Sequence, residues 1–309
     1  MKKHRPLLIG LGVLVVILLA LILPFLIIPG KYSFNQFWNL FFTKIFSLHY
    51  FGSFFLPIVK AIPMTFLLTI FSGFFGLLLG LLLALVRINK IPVLDPLRAL
   101  FVSFIRGTPI IVQLLLTYTG IPLILQAINL NYGTNWNING VPTWFLAILA
   151  FSLNEAAYNS ETIRAAIQSV DTGQIEAAKS LGMTGFQVFL RVTLPEAARV
   201  ATAPLGNSLI GLLKGTSLAF SISVVEMYAT AQIIAGQSFR QFEAYIMVAL
   251  VYWAICIVME NLIRWLERAL AIPAPPKSTG TLLKESLDPF AASQTKLSQD
   301  SNTLGRFQP

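Results

Sequence analysis

Five ionisable side chains fall inside strongly apolar stretches of this sequence: Arg106, Glu155, Glu161, Lys214 and Glu226. Charge in hydrocarbon is costly, so each is expected to find a partner or to serve a polar pathway. Arg106, with Gln113 on the same side two turns further on, would line a path for a carboxylate-bearing solute. Glu226 lies twelve residues beyond Lys214. That is ~18 Å along a continuous helix, too deep to reach the headgroups, so Glu226 should face a polar cavity or a partner helix and is a further path candidate. Lys214 lies near enough to a membrane edge for its ammonium to snorkel outward. Glu161 and Arg164, three apart on one helix face, fit a structural ion pair. Glu155, beside Asn154, reads as structural too.

Nothing in the sequence has the spacing of a reaction centre. A nucleophile–base pattern and a metal-ligand cluster are both lacking, so no catalytic or metal residue is assigned. Cys256 is the single cysteine and cannot form an intrachain disulfide. His4 and His49 lie far apart. The nearest approach to a phosphate-cradling loop, Gly206 to Gly211, is followed by Leu212 where a lysine would be needed. The chain is therefore not expected to be an enzyme. The chemistry open to it is the passage of a polar solute.

The elements that must position these residues follow from composition. The chain has 309 residues, 56% hydrophobic and 11% charged, with mean hydropathy +0.74. A soluble domain carries about 25% charged residues, so lipid is the expected solvent. The formal net charge of +9 does not point to nucleic acid, because the bases flank apolar runs, as they do beside anionic headgroups.

Six apolar stretches are long enough to cross ~30 Å of hydrocarbon: residues 7–28, 64–86, 100–127, 144–163, 208–234 and 244–265. With the N-terminus inside, twelve Lys and Arg flank the inner side and four the outer, so both termini are expected in the cytoplasm. The first stretch is too long for a signal-peptide core, and no small-residue cleavage site follows it, so it reads as an uncleaved span. The expected organisation is an N-terminal transmembrane helix (1–30), an extracytoplasmic aromatic-rich connector (31–61), a core (62–268) and a disordered cytoplasmic tail (269–309). The connector is either an interfacial helix or irregular chain. The tail is rich in Pro, Ser, Gln and Lys.

The longest weakly apolar interval of the core, 164–207, falls on the cytoplasmic side and holds a loop, 166–206; an interval too long for a turn usually carries function. Asp171 or Thr172 would cap a short helix. Ala177 and Ala178 favour it, and Gly182 ends it. Thr184 would cap a second helix to about Leu194, with Pro195 opening another segment. The loop would present a flat alanine face to a partner.

Glu176-Ala177-Ala178, then Gly182, Val192 and Leu194-Pro195, at these spacings, resemble the signature of permease subunits of bacterial ABC importers. Arg106-Gly107-Thr108-Pro109 with Gln113, Tyr158, Glu161, Arg164, and the segments Pro204 to Asn207 and Leu212 to Leu218 resemble the polar amino acid uptake group of that family (histidine, glutamine and cystine-type permeases). The resemblance covers roughly 62–268. Gly215 departs from it, where the group usually has an acid, and so does Ala166, where glycine is common.

The resemblance implies an all-α membrane protein, a type I permease core of about five helices plus the extra N-terminal one, in the bacterial plasma membrane. It implies three partners: a separate ABC ATPase subunit, an extracytoplasmic substrate-binding protein and a second permease core, identical or related. ATP and magnesium would be bound by the ATPase, with no cofactor in this chain. The solute would be glutamine, glutamate, a basic amino acid or cystine. An ion-gradient-driven secondary transporter is the alternative. It would use Glu155 and Glu226 as coupling sites, but leaves the 176–195 spacing unexplained.

Overall fold

In a computed structural model of the chain, the residues described are 34–40, 42, 46–138 and 140–270. They form helices and turns, with no strand among them. The expected span 7–28 and the tail beyond residue 270 lie outside the described residues. The chain divides into two compact units, residues 1–266 and 267–309. Of the second, only the closing turn of the last helix is described.

The helices in chain order are α1 (Phe34–Leu40), α2 (Leu48–Lys60), α3 (Ile62–Ile88), α4 (Leu94–Gly107), α5 (Ile110–Tyr132), α6 (Thr143–Gln168), α7 (Thr172–Ser180), α8 (Gly185–Val188), α9 (Leu194–Gly215), α10 (Met227–Ser238) and α11 (Gln241–Leu270). A π-helical turn, Phe189–Thr193, joins α8 to α9, and a 3₁₀ helix, Thr216–Ile222, extends α9. Among the described residues three helices, α3, α5 and α11, are long and apolar enough to cross a membrane. A fourth crossing arises if the chain from Gly185 to Ile222 is taken with α10, to which it is bent by 51°. The 26-residue α6 reaches ~39 Å, but carries Glu155, Glu161 and Arg164.

Two expected spans are broken. Residues 100–127 do not form one helix: α4 ends at Gly107, and Thr108 is extended at φ −117°, ψ 144°. Pro109 forces this, because its ring disfavours helical backbone in the preceding residue and it has no N–H to donate. Residues 208–234 also part. The chain passes through the 3₁₀ helix to Ser223 in the left-handed region (φ 64°) before α10 begins. The depth of Glu226 argued from a continuous helix therefore does not hold.

The core is built round α6. Its residues Leu146, Ala147, Ala150, Phe151, Ala156 and Ala157 are nearly inaccessible, and α3, α4, α5 and α9 pack on it. The approach to α3 is the closest. A β-carbon on Gly76 would lie 2.5 Å from Glu155 Cβ, and one on Gly80 would lie 3.2 Å from the Ala156 carbonyl oxygen. A second cluster joins Phe54 and Ile58 of α2 to Met227, Ala231 and Ala235 of α10 and to Met247 and Val251 of α11. The described part of the 31–61 connector is mostly helical, and α2 packs on the core. The outward faces of α3 and α5 expose Ile70, Phe74, Leu116, Leu123 and Ile124, a surface that water solvates poorly and lipid solvates well.

Candidate functional site

The loop between α6 and α9 is a short capped helix followed by a turn. The Asp171 carboxylate accepts the Gly173 N–H at 2.8 Å, so Asp171 rather than Thr172 caps α7. Gly182 closes the helix in the left-handed region (φ 82°), which costs glycine little. Thr184 and Gln187 then form a reciprocal capping box on α8, the Gln187 side chain accepting the Thr184 N–H at 2.9 Å.

Beyond that cap a second helix begins and Pro195 stands in the first turn of α9, as the sequence implied, but a π-helical turn joins the two where a break was expected. The chain runs from α8 into α9 without leaving helical geometry, and the Leu194 N–H donates to Phe189 five residues back. Pro195 lacks a donor and its ring crowds the carbonyl four residues earlier, so the turn before it widens.

The alanine face is corrected as well. Ala177 is exposed, but Ala178 is buried and turned inward. The outward apolar groups of this segment are Leu181 and Phe186, 82% and 71% exposed. They flank the turn at Gly182, and Glu176 stands exposed six residues before it. Sequence reasoning missed both side chains. Their signal was an apolar residue on each side of a glycine in an otherwise polar loop.

The three candidates for a solute path are not brought together. Arg106 is exposed at the end of α4, its guanidinium over the Tyr158 ring at 5.3 Å. It lines a groove of about 460 Å³ with Arg98, Val102, Ser103 and Tyr158. Gln113 is buried on α5, beyond the Thr108-Pro109 break. Its amide donates to the Ile105 carbonyl at 2.8 Å and to the Thr108 hydroxyl at 3.0 Å, and its oxygen accepts from Asn154 of α6 at 3.0 Å. Gln113 thus clamps the break instead of sharing a helix face with Arg106.

Glu226 is fully buried and caps α10, accepting the Ala229 N–H at 2.8 Å and the Tyr252 hydroxyl at 2.7 Å. Removing that acceptor strands several donors at once. Glu226→Ala is expected to cost about 2–3 kcal/mol, combining the lost cap of α10 with the lost acceptor of the Tyr252 hydroxyl. Thermal unfolding of the purified protein in detergent would show the fall, and Glu226→Gln should recover part of it.

Glu155 lines a second groove, of about 390 Å³, between α3, α6 and α9, with Phe74, Thr202 and Gly206. Its carboxylate accepts from the Ser208 hydroxyl at 2.7 Å and from the Asn159 amide at 3.1 Å. Lys214 is exposed at the end of α9, where a cation suits the helix dipole.

Glu161 and Arg164 pair at 2.8 Å within a longer network. Arg98 reaches Glu161 at 3.1 Å and Asp95 at 3.0 Å, and Asp95 takes Arg87 at 2.7 Å. Partial desolvation pushes the Asp95 carboxyl up, but its hydrogen bonds to Arg87 and Arg98 and their charges outweigh that and hold it below the ordinary carboxylate range. The clasp therefore holds at neutral pH and is lost only as pH falls through that lowered value. Among the described residues no group of acids, histidines and cysteine could hold a metal ion.

The family of binding-protein-dependent transport system inner membrane components matches residues 76–272. The "Probable amino-acid permease protein YxeN" of Bacillus subtilis (strain 168) is 42% identical over 216 residues, which is 70% of this chain and 92% of that protein. The L-cystine transport system permease protein TcyL of the same strain is 37% identical over 227 residues, 74% of this chain and 92% of its own length. A crystal structure of an amino acid ABC transporter with histidines is similar at 32% identity and TM-score 0.61, covering 72% of this chain and 99% of that one.

Proposed function

Because this chain belongs to the family of binding-protein-dependent transport system inner membrane components, we propose that it passes a polar amino acid inward, driven by a separate ATPase that docks on α7 and the turn after it. The observation that carries the docking is the pair of exposed side chains, Leu181 and Phe186, beside a capped helix with Glu176 on its outer face. Apolar groups held rigid on a polar projection fit a partner's pocket. The amino acid class is supported by the relatives, whose names give amino-acid and L-cystine permeases.

ATP and magnesium belong to that ATPase. An external binding protein delivers the solute, and a second permease core, facing the exposed side of α5, completes the membrane passage. The termini face the cytoplasm in this reading, which the excess of Lys and Arg on that side supports. The ion-gradient alternative loses its footing, since Glu226 caps α10 and Glu155 is held by Asn159 and Ser208.

The test is uptake by proteoliposomes holding this chain with its ATPase and binding protein, using radiolabelled L-amino acids. Uptake should require ATP inside and the binding protein outside, and unlabelled glucose should not compete. Uptake driven by an imposed proton or sodium gradient without ATP would overturn the reading.

A further inference from the structure

A line of alternating charges crosses three helix ends. Arg87 closes α3, Asp95 and Arg98 stand in the first half of α4, and Glu161 and Arg164 lie in the last two turns of α6. The links measure 2.7, 3.0, 3.1 and 2.8 Å, and Arg164 continues to Gln168 at 2.6 Å. Gln168 is the last residue of α6, four before α7 begins. Arg98 is the middle of this line. Its side chain is only 7% exposed and is shared between two carboxylates on different helices. A guanidinium so placed is held in one geometry by its fork of donors, and removing either carboxylate leaves charge poorly compensated.

The corner that this line fastens is strained. Between α3 and α4 the chain turns through Lys90 at φ 48° and Val93 at φ 68°. A β-branched residue in that region is held there only by its surroundings. Arg87 and Asp95 bridge the corner directly. At its far end α4 runs to Arg106 and to the Thr108 break that Gln113 clamps. One rigid helix thus joins the strained corner and the loop side of α6 to the groove lined by Arg106 and Tyr158.

We propose that Arg98 is a positioning residue that transmits movement of the 172–194 segment from α6 to α4, so that motion at the docking loop reaches the Arg106 groove. A displacement of the α6 end pulls on Arg98 through Glu161. Arg98 then carries α4 about the corner at 89–93, whose left-handed residues supply the second setting. This rests on the docking of the ATPase at α7, and it can fail separately. A loop variant that no longer docks loses uptake and hydrolysis together, whereas an Arg98 variant keeps the complex and alters the ratio between them.

The experiment uses the reconstituted complex of this chain with its ATPase and binding protein, measuring labelled amino acid moved per ATP hydrolysed. In Arg98→Gln, uptake per ATP should fall about tenfold, the middle of the range for coupling between two sites, with the complex still assembled. Arg98→Lys, which keeps the charge but loses the fork, should recover only part of the ratio. An unchanged ratio in Arg98→Gln overturns the proposal. If that variant does not assemble, Glu161→Gln, which keeps the shape and one acceptor, is read by the same ratio. An unchanged ratio there, or loss of assembly in both, makes the network a folding element and overturns it equally.

Discussion

Glu176→Lys is expected to leave this chain in the membrane and to lower ATP-driven uptake on the order of 100-fold, since a reversed charge at a docking surface costs several kcal/mol. Glu176 is exposed and forms no ion pair among the described residues, so its reversal should not unfold α7. Gly182→Asp should act alike. A β-carbon at Gly182 meets nothing within 4 Å, so its local penalty is about 1–2 kcal/mol for the left-handed backbone. That is too little to unfold a domain, yet it places a new charge between Leu181 and Phe186. Binding-protein-stimulated ATP hydrolysis should fall with uptake in both variants. Full uptake in both would refute the docking role.

Gly76→Leu is expected to destabilise the folded protein strongly. The side chain would enter the seam where α3 meets α6, and even its first carbon would lie 2.5 Å from Glu155 Cβ and 3.3 Å from the Ser152 carbonyl oxygen. Overpacking costs 1–3 kcal/mol where side chains can yield. Here the opposing atoms belong to a Cβ and to backbone, so the cost lies at or above the upper end. A loss of ~3 kcal/mol lowers Tm by roughly 10 °C in a protein of this size. Gly120→Ala is the contrasting substitution. Nothing lies within 4 Å of its β-carbon, and alanine is the better helix former. Size-exclusion chromatography and thermal unfolding in detergent distinguish the two. A Gly76→Leu protein as stable as the parent would show that the seam can open.

What the sequence could not say follows from which forces are local. The α7 cap and the turn at Gly182 were legible, because a cap needs one acceptor at one position and a left-handed turn needs one glycine. The Glu161–Arg164 contact at 2.8 Å was also foreseeable from a spacing of three. Arg98 was not, because its partner Glu161 lies 63 residues away, a separation that no local spacing reports. The break at Thr108-Pro109 was written in the sequence but hidden under apolar residues on both sides, and hydropathy does not register a missing N–H. Glu226 was placed in depth by assuming a continuous helix through Ser223. Its role as cap depends on a left-handed residue that is not glycine, which propensity disfavours and tertiary packing imposes. The alanine pair misled for a related reason: small residues are read as a surface to be docked upon, but Ala178 is small because it lies against its own chain.

The seam between α3 and α6 also limits the ways this protein can move. Where Gly76 and Gly80 let two backbones touch, a turn of α3 by one residue, ~100° about its axis, would bring Leu77 or Leu81 to the positions that only glycine fits. The two helices therefore cannot roll on one another and form a single lever. The degrees of freedom left for exposing a solute first to one side and then to the other lie elsewhere: at the corner before α4, at the clamped break between α4 and α5, and at the bend between α9 and α10. A permease needs both stiff members and joints. In this one the joints sit where prolines and left-handed residues interrupt helices, and the stiffness comes from the absence of side chains.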